Sequence, residues 1–137
     1  MAAVADDQFG APLKQIIYEN TYRLPEEYGH DAKFNTYPIQ QIMKTMLAER
    51  LKGLSYDPVK ASQLVKQLAD DIREKVKGLG YERYKLVVQC ELGEKKGQAV
   101  NIVSRCLWDT NTDGFASETF ETETLFCNCQ VYALYFE

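Results

Sequence analysis

The residues Asp109-Thr110-Asn111-Thr112-Asp113-Gly114 set side-chain oxygens at alternate positions and a glycine at the sixth, the first half of a calcium-binding loop. That chemistry needs a bidentate glutamate at the twelfth position, and the chain has Phe120 there. The residues before the loop alternate like a strand rather than a helix, so it reads as a polar connection closed by Asx turns. Gly78-Leu79-Gly80 opens like a dinucleotide fingerprint, but it follows a helical stretch and Arg83 stands where the third glycine belongs. General acid–base chemistry leans on histidine or on paired carboxylates. The single histidine, His30, lies beside Glu26, Glu27 and Asp31 in a solvated setting, and no Ser–His–acid or Cys–His set suggests itself. No catalytic, cofactor or metal residue is assigned, no cofactor is expected, and the chain is read as not an enzyme.

The thiols Cys90, Cys106, Cys127 and Cys129 all fall in stretches that alternate as strands. Cys127 and Cys129 share a face, which suits half of a zinc site, and three disulfide pairings can be drawn. The start Met1 to Asp7 has neither the basic segment nor the apolar run of a signal peptide, so the expected compartment is cytosolic and the cysteines are expected as small buried thiols. The longest apolar run, Val131 to Phe136, is far too short to span a bilayer, so no membrane partner is expected. A net charge of −4 argues against nucleic acid, because a duplex binder gains most of its affinity from a basic face. Lys66, Arg73, Lys75 and Lys77 do cluster, but Asp70, Asp71 and Glu74 interleave with them as on a solvated helix face.

A chain of 137 residues fits one domain. Residues 1–37 lack sustained periodicity and read as an extended or partly ordered arm with scattered aromatics, Phe9, Tyr18, Tyr22, Tyr28 and Phe34, and a short helical turn around Leu13 to Tyr18. The domain proper spans 38–137. Its first helix opens with Pro38 in the first turn, repeats Ile39, Ile42, Met43, Met46, Leu47 and Leu51 at helical spacing, and stops at Gly53. Its second takes Asp57 as N-cap and Pro58 as first residue, with Ala61, Leu64, Val65, Leu68, Ala69, Ile72 and Val76 as its stripe before Gly78. Met43 and Met46 at this spacing read as core rather than as a binding groove.

Four strands follow: Tyr84 to Leu92, Ala99 to Trp108, Phe115 to Thr122 and Leu125 to Phe136. The third is polar enough for an edge. Neither Gly93 to Gly97 nor Asp109 to Gly114 is the two-residue turn that fixes a tight hairpin, so the second strand can leave its own sheet without breaking a turn. The fold class is therefore α+β, two helices packed on one face of a four-stranded antiparallel sheet. The last strand is apolar on both faces: Leu125, Cys127, Cys129, Val131, Ala133 and Tyr135 on one, and Phe126, Tyr132, Leu134 and Phe136 on the other, beside Asn128 and Gln130. The second set exceeds what a soluble monomer usually leaves open, and it calls for cover by a partner.

The runs Arg83-Tyr84-Lys85-Leu86-Val87-Val88-Gln89 and Ser104-Arg105-Cys106-Leu107-Trp108-Asp109, with the close Leu125-Phe126-Cys127 to Val131-Tyr132-Ala133-Leu134-Tyr135, resemble the Tctex-type dynein light chains over residues 38–137. Glu19-Asn20-Thr21-Tyr22 is similar to the Tctex-two, axonemal branch. The resemblance implies a strand-swapped dimer in which the second strand crosses into the sheet of another Tctex-type chain, identical or different. It also implies a non-catalytic light chain that binds dynein intermediate chains in the cytoplasm, the cytoskeleton and the axoneme of cilia or flagella. Carried over, Val100, Asn101, Ile102, Val103, Arg105, Leu107 and Trp108 form the partner-binding segment, with Asn101, Val103 and Arg105 as the contact row. Phe126, Tyr132, Leu134 and Phe136 become the dimer face. Two alternatives stand beside this: a dimeric hot-dog thioesterase, for which the first helix offers only Glu49 as pocket acid, and a cystatin-like protease inhibitor, whose hairpin motif Gln89-Cys90-Glu91-Leu92-Gly93 nearly fits.

Overall fold

The side chain of Asn35 accepts a hydrogen bond from the Tyr37 amide, and helix α1 then runs Thr36–Leu51, two residues ahead of the proline that marks its start in the sequence. Asp57 caps α2, Pro58–Lys77, in the same way through the Val59 amide at 3.0 Å, with Pro58 first in the helix as expected. Gly53 takes a positive φ of 77° just after α1, a conformation that lets the chain turn back toward α2. The computed structural model describes Thr21, Arg23, Leu24, Glu27 and residues 33–136. The helical turn at Leu13 to Tyr18, the other scattered arm aromatics before Phe34, and His30 with its acidic neighbours lie outside the described residues.

Three strands follow the helices: β1 Tyr84–Glu94, β2 Gly114–Glu121 and β3 Leu125–Tyr135. They form one antiparallel sheet in the order β1-β3-β2, so the last strand is central and the polar β2 is an edge, as its composition suggested. Register pairs Tyr84 with Tyr135 and Glu94 with Leu125 on one side, and Gly114 with Ala133 and Glu121 with Phe126 on the other.

Among the described residues the sheet has three strands, against the four expected. Residues Ala99 to Trp108, the expected second strand, alternate like a strand but join no ladder. Alternation records which side chains can share a face, not whether a neighbouring backbone is on offer. Here β3 is already paired along both of its edges, and within the chain only the outer edges of β1 and β2 remain.

Helix α1 packs on β2 and α2 on β1. Between helices and sheet lie Ile39, Met43, Leu47, Leu51, Leu68, Ile72 and Val76, facing Ala116, Leu125, Cys127, Cys129 and Val131, nearly all without solvent exposure. Each large apolar side chain buried there stabilises the fold by about 1.5–3 kcal/mol. The two methionines are core, as their spacing indicated. An aromatic knot closes the open end of this core: Phe34, Tyr81, Tyr84 and Tyr135 stack in sequence with ring centroids 5.2–5.9 Å apart along the chain of contacts. The Tyr84 hydroxyl accepts from the Phe34 amide at 3.2 Å and donates to the Thr112 carbonyl at 2.7 Å. Burial pushes its pKa up.

The cysteines divide. Cys127 is a buried thiol as expected, and burial, aided by the Glu91 carboxylate, pushes its pKa up to about 12. Cys106 is an exposed thiol, a consequence of its segment joining no sheet. Cys90 and Cys129, opposite each other in the β1–β3 register, are joined by a disulfide. Sequence left this pairing among several because it did not show that β1 lies against β3.

Candidate functional site

The face of the sheet turned away from the helices carries the dimer-face residues named from the sequence. Phe126, Tyr132 and Leu134 are half-buried and Phe136 is 46% exposed. Phe126 lies flat over Gly93, which directly opposes it in register and has no side chain to hold the ring off. Tyr132 stacks against Phe115 of β2 at 5.1 Å and against Trp108 at 6.4 Å. Lys85 sets its ammonium 5.2 Å from the centre of the Phe136 ring. No helix covers this face. Aromatic groups therefore sit at both ends of an open sheet surface.

A polar row crosses the middle. Gln130, only 4% exposed, donates to the Glu91 carboxylate at 3.2 Å and to the Asn128 side-chain oxygen, and Asn128 donates to Thr119 at 2.6 Å. Burial pushes the Glu91 carboxyl above its ordinary range, and the bond from Gln130 pulls the other way. Sequence reading passed over this row, although Asn128 and Gln130 interrupting an apolar face were a signal for it.

Beside this face runs the segment expected to be the second strand. Val100 and Ile102 line a groove of about 320 Å³ with Thr119, Glu121, Phe126 and Asn128. Ile102, Val103 and Ser104 line another of about 340 Å³ with Phe115, Ser117, Asn128 and Gln130. The segment is nonetheless poorly covered: Val103 is 80% exposed and Leu107 92%, and Asn101 and Arg105 are exposed too. Residues 99–108 make no backbone hydrogen bond with any described residue. Residues 99–107 are exposed, so these donors and acceptors are accessible to solvent and remain open to another strand.

Both ends of the segment are fixed. At the near end, Gln98 closes a turn, accepting from the Lys96 amide at 2.6 Å and donating to the Glu94 carbonyl. At the far end, the Asp109 side chain accepts from the Asn111 amide at 2.9 Å, and Asp113 accepts from the amides of Asp109 at 3.0 Å and Tyr135 at 2.8 Å. The would-be calcium loop thus spends its carboxylates on backbone amides, as the Asx-turn reading expected. The loop anchors the start of β2 to the end of β3.

The remaining candidates disperse. Glu49 lies on the exposed side of α1 rather than in a pocket. Gln89-Cys90-Glu91-Leu92-Gly93 lies inside β1, not at a hairpin tip, which removes the geometric basis of the inhibitor reading. Among the described residues no group of three or more His, Cys, Asp or Glu side chains stands where it could hold a metal ion, and no helix is long and apolar enough to cross a membrane.

The described residues form a small α+β scaffold with one sheet face closed by helices, one open face, and beside it an extended segment that joins no ladder. The Tctex-1 family model matches residues 33–134. Dynein light chain Tctex-type protein 2B of Danio rerio is 36% identical over 117 residues, covering 85% of this chain and 77% of the relative. The human protein of that name is 34% identical over 118 residues, covering 86% and 82%. Human dynein light chain Tctex-type 5 is 36% identical over 122 residues, covering 89% and 66%. The chain belongs to the Tctex-1 family, that is, to the Tctex-type dynein light chains.

Proposed function

We propose that the chain is a non-catalytic light chain of a ciliary or flagellar dynein, working in the cytoplasm and axoneme as half of a two-chain assembly. Its segment 99–108 crosses to a second Tctex-type light chain, identical or different, and adds a fourth strand to that partner's sheet. A dynein intermediate chain lies extended along the edge so created.

The observation that carries this reading is the run of residues 99–108 with no backbone hydrogen bond to any described residue, held at both ends beside an open aromatic sheet face. Strand addition satisfies such groups, and alternate side chains then supply specificity. Asn101, Val103 and Arg105 share one side of the segment and form the contact row, while Val100, Ile102 and Trp108 turn toward a sheet. Phe126, Tyr132, Leu134 and Phe136 become the floor of the two-chain interface. Two such edges hold two intermediate chains at high effective concentration, which strengthens the whole assembly without new contacts.

Affinity capture from ciliated cells checks it. The chain should bring down intermediate and heavy chains of dynein together with a Tctex-type light chain, and native mass measurement should find two light chains in one particle. Repeated capture without dynein chains, or a well-folded monomer at low micromolar concentration with every related light chain present, contradicts it.

A further inference from the structure

Three sulfurs meet on the helix side of the sheet, and their accessibility differs. Cys129 on the central strand has no solvent exposure, whereas Cys90 on the edge strand β1 is half-buried. The two residues are direct cross-strand partners with Cα atoms 4.2 Å apart, and their sulfurs are joined. Cys127 is the neighbour on the same strand face, its sulfur 4.0 Å from that of Cys129. In a cytoplasmic setting protein disulfides are seldom permanent; those that form are mostly transient or redox-sensing.

We propose that Cys90 and Cys129 form a reversible two-electron redox clamp across β1 and β3, closed by a small peroxide and opened by a small thiol that enters at Cys90. In closing, the Cys90 sulfur takes one oxygen from hydrogen peroxide to give a sulfenic acid and water. The Cys129 sulfur then displaces hydroxide from it; that hydroxide takes up the Cys129 proton and leaves as a second water, and the S–S bond forms. In opening, an external thiolate attacks Cys90, releases Cys129 as a thiol after protonation, and a second thiol frees Cys90 as the small disulfide departs. Cys127 stays out of the exchange because it faces Leu92 across the β1–β3 register, while Cys129 faces Cys90 directly.

The bond ties an edge strand to the centre of the sheet. It closes a loop with a sequence separation of 39 residues that contains the whole of segment 99–108 and β2. A link closing a loop of that length restricts the unfolded chain strongly, so closing it raises the melting temperature by on the order of 10 °C. The clamp depends only on the β1–β3 register and stands whether or not segment 99–108 meets a partner.

The test uses the full chain carrying Cys106→Ser, which removes the exposed thiol. After full reduction, dilute hydrogen peroxide should lower the intact mass by two hydrogens, protect two of the three thiols from alkylation under denaturing conditions, and yield a peptide linking Cys90 to Cys129. Melting temperature should rise with the link and fall back when glutathione is added. With Cys127→Ser added, the mass loss, the Cys90–Cys129 peptide and the temperature rise on linking should persist. In Cys129→Ser the remaining Cys90 should form a glutathione adduct roughly ten-fold faster than Cys129 does in Cys90→Ser, as exposure dictates. Overoxidation without a Cys90–Cys129 link, a Cys127-containing link, or a link that leaves the melting temperature unmoved overturns the proposal. Should Cys129→Ser fail to fold, Cys90→Val on the half-buried side must still abolish the mass loss and the temperature rise.

Discussion

The two faces of one sheet behave as different materials. On the helix side, β3 presents Leu125, Cys127, Cys129 and Val131 to α1 and α2 with essentially no exposure, and β3 is paired along both of its edges inside the chain. On the other side, Phe126, Tyr132 and Leu134 are only half-covered, by a segment whose own backbone is unpaired. The closed face makes the molecule fold; the open face is the one assigned to a partner in the proposed assembly. A region can be rich in apolar residues on both sides of a strand and still have only one of them satisfied within the chain.

Substitutions should separate the two faces cleanly. The largest effect falls on the closed one: Leu47→Ala, at a site 1% exposed, removes core contacts at a cost of about 2–5 kcal/mol, read as a fall in the urea midpoint. Next come the two glycines that each receive an aromatic ring. Gly114→Ala drives a methyl group into Phe34 on the closed side, and Gly93→Ala drives one into Phe126 on the open side. Each should cost about 1–3 kcal/mol by overpacking, and only the Gly93 variant should also weaken two-chain association beyond its loss of stability.

Leu107→Asp divides the faces from the other direction. The residue is 92% exposed, so the isolated chain should keep its stability within about 0.5 kcal/mol. Association with a second light chain should nonetheless weaken at least about ten-fold, or about 1.4 kcal/mol, by analytical ultracentrifugation. Unchanged association in this variant would collapse the distinction between the faces.

The smallest effect is at Glu91. Its folded pKa is raised, so the folded state holds its proton to higher pH than the unfolded chain, and stability falls as pH rises from the unfolded value through the folded one. Glu91→Gln should flatten that decline in denaturation midpoints measured from pH 4 to 7, without lowering stability at neutral pH. A variant that steepens the decline would mean that the Gln130 bond, not burial, governs this carboxyl.

The closed face was legible in the sequence and the open one only in outline. Asp57 with Pro58, the stripe from Ile39 to Leu51, and Gly53 gave the helices because their signals are local. The places of β1, β2 and β3 also followed from alternation, although β1 runs on to Glu94, two residues past the expected end at Leu92, and β2 and the end of β3 are shifted by one. Strand order did not, because period two says nothing about which backbone lies alongside; hence the disulfide between Cys90 and Cys129 stayed one pairing among several. Residues Ala99 to Trp108 have a strand's pattern without a strand's partner among the described residues, and the long connections flanking them were the one local hint of it. The family resemblance, drawn from Arg83 to Gln89, Ser104 to Asp109 and the final strand, agrees with the family match over residues 33–134.

Amide hydrogen exchange across residues 99–108 tests the central claim most directly. In dilute isolated chain these amides should exchange within seconds, because no described residue holds them. In the two-chain assembly alternate amides should become protected to the level of β3. Fast exchange throughout 99–108 in the assembled particle, or protection already present in the dilute monomer, would contradict the account.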